Sequence, residues 1–306
     1  MALEPLAADD PVEVGGYRLR ARLGAGGTGL VYLAFSPGGR PVAVKVVRPG
    51  LSEGDDFRRR FRRETQAARQ VHGLYTAQVL DADPDATPPW MVTAYVPGPS
   101  LREVVERHGP MPAQTVFLLI AGVAEALLEI HRAGLVHRDL KPSNVLLAPD
   151  GPRVIDFGIA RTLEATTLTL SDMRVGTPLF MAPEHVTGRP VTPAMDVFSL
   201  GAVAAYAATG RSPFLQGSPA AVLYRIVHAP PDLEGCPVVL HDLIERCLAK
   251  DPEARTAPTD IMDMCRARTA VQPAQTALAW LPPAMAAAVA RYAAPGSLAE
   301  RGPSVS

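Results

Sequence analysis

The stretch Leu135–Gly158 decides the fold of this chain. It reads LVHRDLKPSNVLL over residues 135–147, turns at Pro149-Asp150-Gly151, and continues as RVIDFG over residues 153–158. The polar residues set between its apolar runs are His137, Arg138, Asp139, Lys141, Asn144 and Asp156. This pattern is typical of a polar loop carried by packed strands, and a loop without chemistry is the alternative for any one tripeptide within it.

The types of polar residue in this stretch favour phosphoryl chemistry over that alternative. Asp139 could accept a proton from a hydroxyl group, and Lys141 could neutralise a phosphoryl group during transfer. Asn144 and Asp156 offer the hard oxygen ligands that Mg²⁺ prefers. Six such residues in this order and spacing are hard to reconcile with a purely structural loop.

Residue for residue, the stretch resembles the catalytic loop and the magnesium loop of protein kinases. The sequence Met181-Ala182-Pro183-Glu184 supplies a third landmark of that family. Asp-Leu-Lys-Pro, with Thr177 before Ala-Pro-Glu, resembles serine/threonine kinases rather than tyrosine kinases. The phrases Phe-Arg-Arg-Glu and Asp-Phe-Gly-Ile-Ala-Arg are similar to the bacterial, actinobacterial-type branch. The resemblance covers about residues 17–270.

This resemblance implies an α+β, bilobal protein-kinase fold. A small lobe with an antiparallel β-sheet and one αC helix would lie over a larger, mainly α-helical lobe. We expect a flexible N-terminal leader over residues 1–16, the small lobe over 17–96 and the large lobe over 97–270. An Ala/Pro-rich tail would follow over 271–306, and its docking on the kinase body, an interfacial role and disorder all stay open.

The composition fits a globular chain of two lobes and excludes several other classes. The 306 residues are 47% hydrophobic and 20% charged, with a net charge of −1, so no overall field favours nucleic acid. The three cysteines fit neither a zinc pattern nor a disulfide framework. The acidic N-terminus lacks the features of a signal peptide, and no run of about 18 apolar residues predicts a transmembrane segment. We therefore expect a cytoplasmic protein.

Two strands joined by glycines open the predicted small lobe. Residues 17–23 alternate apolar and basic side chains, and residues 30–35 form a second apolar run. The Gly-x-Gly-x-x-Gly between them can bring its backbone close to phosphates, although glycine turns join strands in many proteins. A dinucleotide fold would need a helix directly afterwards, whereas strand–loop–strand resembles the kinase arrangement.

Lys45 is a charge inside the apolar strand Pro41–Val47, so it needs a partner unless it faces water at an edge. Val-Ala-Val-Lys resembles the kinase β3 motif, which implies that Lys45 holds the α- and β-phosphates of ATP. A helix is predicted over residues 52–72, with Ser52 as its N-cap. Glu64 on this helix matches the αC glutamate that pairs with the lysine, and an exposed helix charge is the alternative.

The resemblance also implies an adenine pocket between the lobes. Pro97-Gly98-Pro99 marks the hinge, and Thr93 is at the gatekeeper position. Ala94 occupies the next position, where many kinases carry a glutamate. Val31, Ala43 and Leu146 would sandwich the adenine. The full set of implied ATP-binding residues is Leu23, Gly24, Ala25, Gly26, Gly27, Thr28, Gly29, Val31, Ala43, Lys45, Thr93, Tyr95, Val96 and Leu146.

Residues 161–181 form a polar loop. It lies inside the span Asp156–Glu184, whose 29 residues are a usual length for a kinase activation segment. Arg138 precedes the catalytic Asp139 and needs an anion, which a phosphorylated loop could supply. The offsets of Thr169 and Ser171 from Thr177 resemble those of the loop sites phosphorylated in actinobacterial kinases. This resemblance implies phosphorylation at Thr169, Ser171 or both, with Thr166 and Thr167 as runners-up. The resemblance further implies a buried structural pair between Glu184 and Arg255, and a structural role for Asp196.

The function implied is a serine/threonine protein kinase that uses ATP and Mg²⁺, with Mn²⁺ as the alternative ion. Asp139, Lys141, Lys45 and Glu64 would be catalytic, and Asn144 and Asp156 would bind the metal. The partners would be proteins with Ser/Thr acceptors and not nucleic acid, and a homodimer of kinase domains stays open. A pseudokinase scaffold and a small-molecule phosphotransferase of related fold are the alternatives.

Overall fold

The computed structural model describes residues 3–48, 50, 55–157, 178–215, 217–269 and 280–293. Its small lobe is a six-stranded antiparallel sheet in the order β1-β2-β3-β4-β6-β5. The strands are β1 (Glu13–Val14), β2 (Tyr17–Gly26), β3 (Gly29–Phe35), β4 (Pro41–Val47), β5 (Val79–Asp83) and β6 (Trp90–Ala94). One helix, α1 (Asp55–Ala68), follows β4.

The sheet has two faces with different environments. Along β4, Val42 and Val44 are buried, whereas Ala43 and Lys45 are half-buried, because alternate strand residues point to opposite faces. Val42 and Val44 join an apolar cluster on the outer face, together with Leu19, Tyr32, Ala34, Trp90 and Val92. The inner face of the sheet is therefore left for the interface with the large lobe.

Residues 3–16 correct the expectation of a flexible leader. The backbone of Glu4 exchanges two hydrogen bonds with Arg22, at 3.0 and 2.8 Å, and Leu6 and Val14 pack on the outer cluster. The carboxylate of Asp10 accepts hydrogen bonds from Arg22 at 2.6 and 2.8 Å and from the Tyr32 hydroxyl at 2.6 Å. The segment is acidic and not periodic, so its local pattern gives no sign of these long-range partners.

Helix α1 is shorter than the predicted helix over residues 52–72. It ends at Ala68, and its described part begins at Asp55, so the proposed N-cap Ser52 lies outside the described residues. Phe57 and Phe61, one turn apart, are buried and stack with ring centroids 5.7 Å apart. This apolar stripe fixes the face of α1 that packs on the lobe.

The described part of the large lobe is mainly helical and contains one small two-stranded sheet. The sheet pairs β7 (Val145–Ala148) with β8 (Gly151–Val154). The helices are α2 (Leu101–His108), α3 (Ala113–Arg132), α4 (Pro183–Val186), α5 (Ala194–Thr209), α6 (Pro219–His228), α7 (His241–Cys247), α8 (Pro258–Arg268) and α9 (Pro283–Ala293). The predicted architecture, a small antiparallel sheet with one helix and a larger helical lobe, is confirmed.

Two apolar helices form the centre of the large lobe. Helix α3 packs against α5, α8 and β8, and α5 is buried along almost its whole length. By length and composition alone α3 could cross a membrane, but core helices of globular proteins share these properties. Most of its residues are buried inside the lobe.

A buried ion pair joins two distant parts of the large lobe. The guanidinium of Arg255 donates to both carboxylate oxygens of Glu184, at 2.5 and 2.7 Å. Arg255 also donates to the backbone carbonyls of Ala249, Ala194 and Lys250. Such complete hydrogen bonding is what makes a buried ion pair tolerable.

Asp10 allows a test of the packed N-terminal segment. The hydrogen bonds from Arg22 lower the pKa of Asp10 to about 2. Its stabilising effect should therefore be complete at neutral pH, begin to fall below about pH 4, and vanish as the pH passes through about 2. We expect Asp10→Asn to lower the free energy of unfolding at pH 7 by about 1 kcal/mol, and by less at pH 3.

Urea unfolding of both proteins at pH 7 and pH 3 measures this difference. Asp9→Asn is the matched control, because the Asp9 side chain is 90% exposed and lies 3.9 Å from Arg22. An Asp10→Asn effect that equals that of Asp9→Asn at both pH values would contradict the assignment.

Candidate active site

The loop after α3 is held by a single buried carboxylate, that of Asp196 on α5. Asp196 accepts hydrogen bonds from the backbone N–H of His137 at 2.8 Å and of Arg138 at 2.9 Å. It also accepts one from Nε2 of His131 at 2.7 Å. One side chain of the helical core therefore fixes the backbone that leads into Asp139.

The backbone is strained at two residues of the site. Arg138 and Asp156 have φ angles of 64° and 59°, and both are in the left-handed region without being glycine. Such residues cost roughly 1–3 kcal/mol each and persist only where the surroundings determine them. At Arg138 the two hydrogen bonds to Asp196 supply that constraint.

His137 joins the two polar loops of the site. Its Nε2 donates to the carbonyl of Ile155 at 3.1 Å, and its Nδ1 accepts from the backbone N–H of Asp139 at 3.3 Å. A neutral imidazole can do both at once. Burial lowers the pKa of His137, which favours that neutral form. The residue therefore acts as a spacer between Asp139 and Asp156.

Asp139 lies at the centre of a polar cluster on the cleft side of this loop. Lys141 donates to its Oδ2 at 2.8 Å. The amide nitrogen of Asn144 donates to the Asp139 backbone carbonyl at 2.8 Å and to its Oδ2 at 3.3 Å. The carboxylate is only 18% exposed, and the contacts with Lys141 and Asn144 help to orient it.

Asn144 and Asp156 are brought together as potential cation ligands. The backbone carbonyl of Asn144 accepts from Ile155 N–H at 3.0 Å, which places Asp156 beside it. Both side-chain hydrogen bonds of Asn144 use its nitrogen, so its amide oxygen remains as an acceptor. Within the described ranges no group of three or more His, Cys, Asp or Glu residues could hold a metal ion. Further oxygen ligands would come from water and from a bound phosphate.

The ion pairs of Lys45 and Glu64 correct one expectation. Lys45 pairs with Asp156 Oδ1 at 3.1 Å, and Glu64 pairs with Arg138 Nη1 at 3.1 Å. The expected Lys45–Glu64 pair is not formed between these two described residues. Two cations and two carboxylates lie within reach of one another, and sequence spacing cannot decide which pairing is adopted.

Four of the residues expected around the nucleotide share one face of the small lobe. Val31 is the cross-strand partner of Lys45, and Ala43 is that of Thr93. Partners in an antiparallel pair point to the same face, and Lys45 reaches Asp156 of the other lobe from it. The face therefore borders the cleft between the lobes.

The glycine-rich hairpin closes one end of this face. Gly26 pairs with Gly29 across a turn formed by Gly27 and Thr28. A side chain at Gly29 would place its Cβ 2.1 Å from the carbonyl oxygen of Val46. Only glycine therefore allows β3 and β4 to approach this closely. Ala25, Gly26 and Gly27 are exposed, and Leu23 lies at a register shift in β2.

The segment between the lobes lies against β7. The carbonyl of Pro99 accepts from Leu147 N–H at 2.9 Å, and Ser100 forms a bridge with Leu146. Leu146 is buried on β7, while Tyr95 and Val96 are half-buried. The cleft therefore has a floor from the large lobe that is bonded directly to the hinge.

Several expected residues lie outside the described part of the chain. They are Gly158 of the Asp-Phe-Gly motif, the proposed phosphorylation sites Thr169 and Ser171, the runners-up Thr166 and Thr167, and the landmark Thr177. The positions of Glu184, Asp196 and Arg255 are described above. Sequence reasoning did not identify the supporting roles of His131 and His137, since a histidine in a motif does not reveal its buried partners.

Comparison with known proteins agrees with this geometry. The protein kinase domain family matches residues 17–265. PkwA of Thermomonospora curvata, a probable serine/threonine-protein kinase, is 52% identical over 260 residues, covering 85% of this chain and 35% of that protein. The serine/threonine-protein kinase AfsK of Streptomyces coelicolor is 52% identical over 284 residues, covering 92% of this chain and 36% of that protein.

A solved structure shares the fold. The kinase domain of Mycobacterium tuberculosis PknI matches with a TM-score of 0.69 and 28% identity, covering 87% of this chain and all of that domain. The chain spans about a third of the length of PkwA and AfsK. Its matched region and its site together establish that this chain belongs to the protein kinase family, with relatives among the actinobacterial serine/threonine kinases.

Proposed function

We propose that this chain is the catalytic domain of a serine/threonine protein kinase that transfers the γ-phosphoryl group of ATP to protein hydroxyls. The observation that carries the proposal is the cluster around Asp139. Lys141 and Asn144 both contact its Oδ2, and Asn144 lies beside Asp156 through the bond to Ile155. A base, a cation and two oxygen ligands thus converge on one side of the cleft.

Each residue of the cluster has a role in that reaction. Asp139 orients the acceptor hydroxyl and takes its proton, while Lys141 stabilises the negative charge on the transferred group. Asn144 and Asp156 would hold a divalent cation, Mg²⁺ or alternatively Mn²⁺, which would neutralise phosphate charge when bound. Their oxygen donors suit such hard ions.

The small lobe and hinge supply the nucleotide site. Lys45 holds the α- and β-phosphates, and residues 26–29 of the hairpin cover them. Val31, Ala43 and Leu146 enclose the adenine. Thr93 lies behind the adenine, and the backbone of Tyr95 and Val96 meets its edge. The shared face of Val31, Ala43, Lys45 and Thr93 supports this assignment.

The two alternatives have less support. A pseudokinase usually lacks the phosphate-binding lysine, the catalytic aspartate or the magnesium-binding aspartate. This chain has all three, as Lys45, Asp139 and Asp156. A small-molecule phosphotransferase lacks an activation segment that ends in Ala-Pro-Glu, which this chain has at residues 182–184. We propose further that the kinase acts in the cytoplasm and that its substrates are proteins.

We also propose that the activation loop is phosphorylated at Thr169, Ser171 or both. The Glu64–Arg138 pair suggests how this modification would act. A phosphate carries a charge of about −1.5 to −2 and binds arginine through two hydrogen bonds. It would compete with Glu64 for Arg138, and the released Glu64 could then pair with Lys45. Phosphorylation would thereby form the expected Lys45–Glu64 pair, which positions Lys45 on the α- and β-phosphates of ATP.

The first test concerns the proposed base. We expect Asp139→Asn to fold and bind ATP but to transfer phosphate roughly 10²–10⁴-fold more slowly, because the positioned base is lost. Radiolabel transfer from ATP to a generic protein substrate measures the rate, and a fluorescent ATP analogue measures binding. Asp150→Asn, an exposed acid in the β7–β8 turn, is the control. Near-wild-type turnover of Asp139→Asn would rule out the role.

The second test concerns the loop. Protein incubated with Mg·ATP should carry phosphate at Thr169 or Ser171 by mass spectrometry, and the Asp139→Asn protein should not. The Thr169→Ala/Ser171→Ala double variant should lose about tenfold or more in kcat, the factor that one charge-assisted hydrogen bond of about 1.5 kcal/mol supplies.

A Thr166→Ala/Thr167→Ala variant is the comparison for this test, because it alters the same loop at the runner-up positions. Arg138→Gln should make the kinase insensitive to loop phosphorylation, since it removes the group for which phosphate and Glu64 compete. An unmodified loop in a fully active preparation, or a double variant with unchanged kcat, would contradict the proposal.

A further inference from the structure

The segment Trp280–Ala293 lies beyond the matched family domain, which ends at residue 265, yet it is part of the core. Leu281, Met285 and Val289 are buried, with 7%, 3% and 0% exposure, and belong to the main apolar cluster of the large lobe. They recur along one side of α9 and its entry, as expected for a docked amphipathic helix.

The place where this segment docks is specific. Helix α9 packs against α2, which begins at Leu101, directly after the segment between the lobes. The indole Nε1 of Trp280 donates a hydrogen bond of 3.2 Å to the backbone carbonyl of Ala148. Ala148 is the last residue of β7, so this bond ties the segment to the strand that carries Leu146.

Strand β7 is fixed to the hinge on its other side. Besides the hydrogen bond from Leu147 N–H to Pro99, the backbone of Gly98 lies so close to β7 that an added Cβ would be 2.2 Å from the Leu147 carbonyl oxygen. The strand also starts directly after Asn144. Asn144 and Ala148 lie at opposite ends of this strand, so a shift at Ala148 would be felt first at Leu146 and at the hinge.

We propose that Trp280 is a positioning residue for the nucleotide, acting with α9 as an external clamp on β7. The inference rests on the proposed function in one respect, namely that ATP binds against Leu146. The clamp limits movement of β7 away from the hinge and keeps the floor of the adenine pocket in place. Ala148 also pairs with Gly151 across the β7–β8 turn, so loss of the Trp280 donor would free this turn from α9 without unpairing β7 from β8.

The competing explanation is that the segment only covers an apolar surface. Cover alone would add stability, and its loss would lower the melting temperature and the amount of folded enzyme. It would not change the affinity of the enzyme that remains folded. The split between KM for ATP and kcat therefore separates the two explanations.

The experiment uses the full chain with Trp280→Phe, which keeps an aromatic ring but removes the N–H donor. We expect KM for ATP, and the dissociation constant of a fluorescent ATP analogue, to rise about three- to tenfold, the factor that one net hydrogen bond represents. We expect kcat to stay within about twofold, because the cluster around Asp139 is held separately by Asp196.

Two further variants keep the test decisive. Ala287→Ser alters an exposed position of α9 and should leave both constants unchanged. Met285→Ala removes buried apolar contacts but keeps the N–H donor of Trp280, so it should lower the melting temperature with little change in KM for ATP. If Trp280→Phe lowers only the melting temperature and leaves nucleotide affinity unchanged, the clamp is overturned and the segment is a cover.

The analogue also separates this inference from the proposed function. A wild-type protein that binds it but transfers no phosphate would refute the phosphotransfer activity, while the effect of Trp280 on affinity would remain measurable. A wild-type protein that binds no nucleotide would refute both.

Discussion

The site depends on the hydrogen bonds that the buried carboxylate of Asp196 accepts from the backbone of the catalytic loop. Two amide N–H groups and one imidazole converge on this carboxylate. They allow Arg138 to adopt a left-handed backbone conformation, which residues other than glycine seldom adopt. Because the next residue is Asp139, the orientation of the proposed base is set by a helix of the rigid core. The loop therefore gains its precision from the most buried part of the lobe.

The charged residues around the cleft form two ion pairs, and each pair joins the small lobe to the large lobe. Lys45 and Asp156 neutralise one another, as do Arg138 and Glu64, and all four are only partly exposed. Coulomb interactions at such sites are stronger than at the surface but weaker than in a dry interior. Lys45 and Glu64 would meet only if both pairs were broken, which is the change that the proposed phosphorylation of the loop would bring about.

Much of the fold and the site was predictable because the decisive residues are close in sequence. The catalytic loop and magnesium loop lie within 24 residues, Leu135–Gly158, and their spacing fixes which side chains can converge. The packing of Asp10 on Arg22 and Tyr32 was not predictable, since an acidic, non-periodic segment carries no local signal. The hydrogen bond between Trp280 and Ala148 was missed because the two residues are 132 positions apart in the sequence, and no local pattern links them. The predicted partner of Lys45, Glu64, was wrong, because Asp156 is a second acid within reach and pairs with Lys45 instead.

The buried pair of Glu184 and Arg255 has a consequence for how this sequence can change over evolutionary time. Each residue satisfies the other inside the core, and loss of either one leaves an unpaired buried charge that costs roughly 3–5 kcal/mol. That cost is comparable with the whole stability margin of many domains. Evolution can therefore replace the pair only by two nearly simultaneous substitutions, at positions that are 71 residues apart in the sequence. Drift at these positions should be blocked even where the surrounding surface varies freely.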